Sequence, residues 1–309
     1  MGNVSAVSAP RVVVCGEALV DLVPTGDDTL APKLGGGPFN VAVTLGRLGT
    51  DVAFLSRLST DVYGERLCER LGESNIDTSL LQRGPEPTTL ALTTVDDHGG
   101  AQYSFYAGGT ADRFVVDPGE LPESVLAVSF GTLSLVYEPG ASVYESLMRR
   151  THDAGRLVVV DPNIRPDAIT DADDYRARFA RWLPWIDILK VSIDDADWLG
   201  GEPKEWLAAG VGAVLLTRGA DGLSLMADGV DVAVPVVPTE VVDTIGAGDT
   251  VHGALLHWLD RSNCLHPSAV RNYSAHRWEQ ALRFAADASA ITVSRAGADP
   301  PWAKDVEGD

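Results

Sequence analysis

Apolar residues along the chain follow two alternating rhythms. Short, nearly continuous apolar runs occur at 12–15, 125–130, 157–161, 186–191 and 213–217, several rich in Val, Ile and Leu. Such runs suit strands buried on both faces. Between and after them, stretches at 141–154, 173–183, 204–209 and 281–292 space their apolar residues at helical intervals. Strands alternating with helices predict an α/β fold whose central sheet is mostly parallel and covered on both faces. Two places break the rhythm. Residues 223–227 and 230–234 flank Asp228-Gly229, and residues 88–95 and 102–105 flank Asp96-Asp97-His98-Gly99-Gly100. Both read as antiparallel hairpins. No internal repeat or low-complexity linker is present.

In open α/β sheets, ligands gather at the carboxyl ends of the strands. Gly16, Asp161-Pro162-Asn163-Ile164-Arg165, Lys190 and Thr217-Arg218-Gly219 fall at such ends. The most informative stretch is Asp243-Thr244-Ile245-Gly246-Ala247-Gly248-Asp249. After it, Val251, Ala254, Leu255, Trp258 and Leu259 mark one face of a helix. Gly246, Ala247 and Gly248 therefore sit at a helix N-terminus, where backbone N–H groups and the helix dipole favour an anion. Asp249 adds a carboxylate in the first turn. A base beside an anion site suits phosphoryl transfer to a hydroxyl. Taken alone, an Asp at that place is also an ordinary helix cap.

A second glycine turn, Gly35-Gly36-Gly37-Pro38, leads into a helix with Val41, Leu45 and Leu48 on one face and a stop at Gly49. Gly36, Gly37 and Asn40 offer backbone N–H groups and an amide, which bind hydroxyls well. Upstream, alternation puts Glu17, Leu19, Asp21 and Val23 on one strand face. Either an exposed edge or a carboxylate facing a pocket would explain those acids.

Composition narrows the field. The 309 residues are 45% hydrophobic, and the net charge is −20 with a pI near 4.5. There is no dense basic run for nucleic acid and no apolar stretch of membrane-spanning length. Cys15, Cys68 and Cys264 are odd in number and widely spaced, which predicts reduced thiols rather than a disulfide or metal framework. With no apolar signal segment at the start, a cytoplasmic protein is expected. None of Lys33, Lys190, Lys204 and Lys304 follows a glycine, so the Walker phosphate loop is excluded. GxGxxG after the first strand and HExxH are also missing, which argues against hydride transfer to NAD and against a zinc hydrolase. His252 and His257, five apart on one helix, fit packing or surface positions.

The string from Asp243 to Asp249, followed by Gly253-Ala254, resembles the C-terminal signature of the ribokinase-like (PfkB) sugar kinases. The stretch Gly36-Gly37-Pro38-Phe39-Asn40-Val41-Ala42 resembles the N-terminal signature, and Gly16-Glu17-Ala18-Leu19-Val20-Asp21 resembles the opening of many members, above all bacterial fructokinases. The resemblance covers about residues 11–302. It implies a three-layer α/β sandwich, a single domain over 11–305, with a small β lid formed from 17–34 and 87–113. It implies transfer of the γ-phosphoryl group of ATP to a primary hydroxyl of a small sugar, with fructose to fructose 6-phosphate foremost and 2-keto-3-deoxygluconate, or another sugar or nucleoside taken by this family, the alternative. A non-catalytic metabolite-binding protein is the rival from another class, against which the intact Gly246–Asp249 string stands.

The same resemblance assigns roles. Asp249 becomes the base, and Gly246, Ala247 and Gly248 the anion hole. Asp21, Gly36, Gly37, Asn40, Tyr106 and Arg165 would hold the sugar. Ser192, Thr217, Gly219, Gly222 and Gly248 would line the ATP site. Asp195 would organise Mg²⁺ indirectly, and Asp243, Ile245, Thr292, Arg295 and Gly297 would hold a monovalent cation such as K⁺. Four positions depart from the pattern. Ser59 replaces Gly, Ser192 replaces Asn, Asp195 replaces Glu, and Ala107 stands where relatives acting on the sugar acid carry an Arg to grip its carboxylate. Ala107 thus favours a neutral sugar, and Ala107→Arg would be expected to narrow that preference. A lid edge leaves pairing with a second subunit open.

Overall fold

The computed structural model describes residues 9–26, 29–95 and 101–307. Its centre is an eight-stranded sheet in the order β14-β13-β12-β11-β10-β9-β1-β4. These strands are β1 (Val12–Cys15), β4 (Val52–Leu55), β9 (Ala127–Gly131), β10 (Leu157–Asp161), β11 (Ile188–Ser192), β12 (Ala213–Thr217), β13 (Leu223–Ala227) and β14 (Val230–Val234). From β12 to β4 every neighbouring pair is parallel, and β13 alone reverses direction, pairing antiparallel with both β12 and β14. Alternation along the strands divides the core in two. Val12, Val14, Leu157 and Val159 pack beneath α1 (Gly37–Leu48), α2 (Val62–Glu73), α7 (Ala247–Arg261) and α9 (Ala275–Val293). Val13, Cys15, Val158 and Val160 pack beneath α3 (Gly140–Asp153), α4 (Ala172–Trp182), α5 (Ile193–Leu199) and α6 (Pro203–Ala208). The result is the expected three-layer sandwich with a mostly parallel sheet. Among the described residues no helix is long and apolar enough to cross a membrane.

A second sheet of four strands, ordered β3-β2-β7-β8, lies over the carboxyl ends of the first. It comprises β2 (Leu19–Pro24), β3 (Leu30–Gly35), β7 (Leu90–Val95) and β8 (Ala101–Tyr106). β7 and β8 pair antiparallel, as the sequence predicts, and the expected hairpin tip at 96–100 lies outside the described residues. Short strands β5 (Arg57–Ser59) and β6 (Gln82–Gly84) pair nearby. The largest shift from an expected boundary is in the last long helix. α9 starts at Ala275 rather than 281, because Ser274 caps it by accepting the Arg277 N–H. After β14 no strand follows over 235–246, where Pro235 and Pro238 have no N–H to give a ladder, so the chain reaches α7 as a loop.

One side chain ties the two sheets' neighbourhoods together. Asp61 caps α2 by accepting N–H bonds from Tyr63 and Gly64, and it also accepts the N–H and Oγ1–H of Thr88, just before β7. Ser59, the departure from the family pattern, assists by accepting the Asp61 N–H through its hydroxyl. Partial burial pushes the Asp61 pKa up, but the bonds from Gly64 and Thr88 outweigh it and hold the group at about 2, below its ordinary 3.8. A carboxyl with a lowered folded-state pKa stabilises the fold above its unfolded value and loses that contribution as pH falls. Asp61→Ala should therefore lower the unfolding free energy by about 1–2 kcal/mol, measured by urea denaturation at neutral pH. The gap between variant and parent should stay constant above about pH 5 and narrow as pH falls through 3.8 towards 2. A gap independent of pH would contradict this role for Asp61.

Candidate active site

Between the smaller sheet and the strand ends lies a cavity of about 250 Å³. β1 ends beside it, so Gly16 turns the chain and Glu17 enters the lining. Alternation along β2 then delivers Leu19 and Asp21. The glycine turn and the first turn of α1 contribute Gly36, Gly37 and Asn40, the loop after β10 contributes Asn163 and Arg165, and β11 contributes Lys190. From α7 and the loop before it come Thr244, Ile245, Gly246, Gly248 and Asp249. Tyr103 and Phe105 close the side formed by β8, with rings stacked 6.0 Å apart. The strand's two-residue period points Tyr106 the other way. It is 60% exposed and does not join the cavity, contrary to the sequence expectation. Ala107 is 3% exposed and also outside the lining, so an Arg there would meet packed protein rather than a ligand.

Asp249 sits at the bottom of the cavity, 8% exposed, with Oδ2 accepting a hydrogen bond from Asn40 Nδ2 at 2.9 Å. Two features of the sequence produce that contact. Gly246 adopts φ 78, and a Cβ there would come within 2.7 Å of the Ala298 Cβ, so only glycine makes the turn into α7. One helical turn beyond Asp249, a Cβ on Gly253 would lie 2.7 Å from the Thr44 Cβ, one turn beyond Asn40. The absence of that Cβ lets α1 and α7 approach closely enough for Asn40 to reach Asp249. Burial raises the Asp249 pKa above its ordinary value, and the Asn40 bond and the Lys190 charge oppose that rise.

Burial acts on the other acids as well. It lifts Glu17 to about 7, against the nearby polar Thr132 side chain and a bond from the Ser134 N–H. It lifts Asp21 to about 6, against the positive charge of Arg165. Arg165 itself donates from Nη1 to Asn163 Oδ1 at 2.7 Å, and its guanidinium lies 5.8 Å from the centre of the Tyr103 ring.

A second, more apolar cleft of about 490 Å³ adjoins the first. Thr217, Gly219, Gly222, Val236, Val237, Ala286 and Val293 line it, so the predicted turn after β12 and the face of α9 do meet. Thr244 and Gly248 line both cavities. The N-terminal turn of α7 is thus the seam between a polar chamber and an apolar cleft, and Asp249 faces the polar side.

Two sets of predicted residues serve the fold here. Ser192 lines neither cavity; it caps α5 by accepting the Asp195 N–H at 3.0 Å. Asp195 Oδ2 accepts the Ser192 N–H and hydroxyl, and Oδ1 accepts the Ile164 N–H at 2.7 Å. Asp243 joins two loops, accepting the N–H of Ile245 at 3.0 Å and of Gly297 at 2.8 Å. The Thr292 hydroxyl bonds with that of Thr250, and the Arg295 guanidinium pairs with Asp305. Only backbone oxygens of Thr292 and Arg295 would therefore be able to face a cation near Asp243. Among the described residues no group of three or more His, Cys, Asp or Glu could hold a metal ion. Sequence reasoning noted Glu17 as an acid that could face a pocket and Asn163 and Lys190 as strand-end residues, but gave none of them a specific role, and it passed over Thr132. Glu17 and Asn163 follow β1 and β10 at the carboxyl edge and Lys190 lies within β11, near the ends that drew attention to them.

Comparison with known proteins agrees with this geometry. The chain is 38% identical over 288 residues to a fructokinase from Rhizobium leguminosarum bv. trifolii, covering 89% of this chain and 86% of the relative. Its fold is similar to that of a fructokinase from Xylella fastidiosa solved with bound ATP, with a TM-score of 0.85, 26% identity and coverage of 93% of each chain. It is also similar to a fructokinase from Vibrio cholerae O395 solved with fructose, ADP and calcium, with a TM-score of 0.81, 25% identity and coverage of 94% of each chain. The family model described as pfkB family carbohydrate kinase matches residues 9–305. With that match spanning nearly the whole chain, both glycine turns and the buried Asp249 included, the protein belongs to the pfkB family of carbohydrate kinases.

Proposed function

We propose that the chain transfers the γ-phosphoryl group of ATP to a primary hydroxyl of a neutral sugar, fructose before others. One observation carries the reading. A polar cavity and an apolar cleft share Thr244 and Gly248, with the buried Asp249 on the polar side of that seam. The adenine of ATP suits the apolar cleft, and the phosphates then run towards the N-terminus of α7, which favours anions. The sugar occupies the polar cavity, its hydroxyls held by Asp21, Asn40, Arg165 and the backbone at Gly36 and Gly37. The names of the relatives support fructose, and so does the balance of charge. Three carboxyls, Glu17, Asp21 and Asp249, face the chamber against two cations, and one of these, Lys190, is already paired with Asp161 at 2.7 Å. A sugar acid would bring a further negative charge into that setting.

In the reaction, Asp249 accepts the proton of the primary hydroxyl, whose oxygen attacks the γ-phosphorus. The bond between that phosphorus and the bridging oxygen breaks, and ADP leaves with the electron pair. The N–H groups of the first turn of α7 face the charge on the transferring group. Closure of the smaller sheet over the sugar would keep water away from the phosphoryl group. Magnesium bound to the nucleotide would neutralise phosphate charge. The carboxylate of Asp195 is engaged by Ser192 and Ile164, so it would reach the ion only through water, which suits an ion that retains several waters. Asp243, with backbone oxygens of Ile245, Thr292, Arg295 and Gly297, would hold a monovalent cation below the turn. The cytoplasm, where ATP is abundant and thiols stay reduced, is the compartment this chemistry fits.

Two measurements test the reading. Asp249→Asn keeps the shape and the Asn40 neighbour but loses the base, so kcat should fall about 10²–10⁴-fold with little change in the KM for ATP. A variant that retains more than about a tenth of the parental kcat would show that another group takes the proton. In a sugar panel, fructose should exceed 2-keto-3-deoxygluconate in kcat/KM by at least about ten-fold, the worth of one unmet charge-assisted contact. A preference for the acid would make Arg165 its clamp and overturn the neutral-sugar reading.

A further inference from the structure

Behind the site lies a buried cluster of charged and polar groups. Lys190, 4% exposed in the middle of β11, places Nζ 2.7 Å from Asp161 Oδ2. His252 Nδ1 is 3.8 Å from the same oxygen, and His252 Nε2 is 3.1 Å from Ser129 Oγ. Stability alone does not account for such a pair. Desolvating two ions costs several kcal/mol, and apolar side chains of similar volume commonly do as well or better.

Its placement points to chemistry. Lys190 lines the polar cavity together with Gly248 and Asp249. A Cβ built on Gly248 would lie 3.0 Å from Nζ, so the ammonium rests against the residue shared by the two cavities. An ammonium has three donors, and Asp161 receives one of them. Burial alone would pull the Lys190 pKa down, but Asp161 more than reverses this, so the group stays charged. Beyond β11, in the first turn of α5, the Asp195 carboxylate is engaged by backbone and cap, and Lys190 is the charged residue of β11 that lines the polar cavity beside the seam.

We propose that Lys190 is a catalytic residue whose ammonium donates to the γ-phosphoryl group as it crosses Gly248, with Asp161 as the residue that positions it. The inference rests on the phosphotransferase reading. Charge in that transfer spreads over the equatorial oxygens of the phosphoryl group, where a fixed, dehydrated cation acts strongly. Lys190 keeps its proton throughout. The same charge favours the ionised form of Asp249, so one ammonium assists both the base and the group in flight.

The test compares the parent with Lys190→Met and with the double variant Lys190→Met/Asp161→Leu, which removes both charges and leaves no orphaned carboxylate. Turnover by the parent tests the phosphotransferase reading separately. In the folded variants kcat should fall by about 10²-fold or more, while KM for sugar and for ATP changes by less than about three-fold. The double variant should melt within a few degrees of the parent. The parent should also bind ADP more tightly when fructose and fluoroaluminate, a mimic of the phosphoryl in flight, are added together, and the variants should lose that gain. A double variant that melts like the parent and keeps kcat within about ten-fold overturns the proposal. So does a loss of kcat with the fluoroaluminate gain intact, which a merely structural role would produce. If neither variant folds, ¹⁵N-lysine NMR of the unmodified protein decides. The buried ammonium signal must move when ADP, fluoroaluminate and fructose are added together, and a signal that stays still overturns the assignment.

Discussion

A carboxylate that is to act as a base must be shielded from water and still remain ionised, and the architecture around Asp249 answers that conflict. Burial pushes its pKa up, which would neutralise it. Asn40 opposes this with a hydrogen bond, and Lys190 with a nearby charge. Each of these partners is delivered by a separate element. Asn40 depends on the close crossing of α1 and α7, which the bare Gly253 opposite Thr44 permits. Lys190 depends on β11 and on Asp161 at the end of β10. Four elements therefore converge on one side chain, and the sheet order that brings β10 beside β11 belongs to the site as much as to the core.

The smaller sheet supplies the other half of the chamber. β2 brings Asp21 and β8 brings Tyr103 and Phe105, so the sugar side is built from segments far apart in sequence. Pairing of β2 with β7 joins them, and Asp61 anchors the start of β7 to the cap of α2. Because acids outnumber cations in this chamber, and Glu17 and Asp21 are raised to about 7 and about 6, its charge depends on pH in a way that a neutral ligand tolerates better than an anion.

Much of this was legible in the sequence. Buried β-branched runs and helical spacing pointed to the parallel sheet and its two helical layers, because period and burial are written in local composition. Gly246 to Asp249 and Gly36 to Asn40 were legible through the longer strings that hold them, since a glycine turn into a helix by itself also suits an ordinary cap. Tyr106 was misplaced because its neighbours are aromatic too, and only the strand's register decides which of them faces inward. Ser192 and Asp195 were read for their chemistry, yet the structure engages them in a capping box, a competition that motif spacing does not reveal. Lys190 drew attention as a strand-end residue, but its reach to Gly248 depends on how β11 lies beside α7, which no local pattern encodes.

The most direct test of the account is a structure of the protein with fructose and a non-hydrolysable ATP analogue. A primary hydroxyl oxygen should lie within about 2.6–3.2 Å of the Asp249 carboxylate, with the γ-phosphorus in line beyond it at Gly248. A sugar bound with no hydroxyl in reach of Asp249, or triphosphate lying away from the first turn of α7, would contradict it.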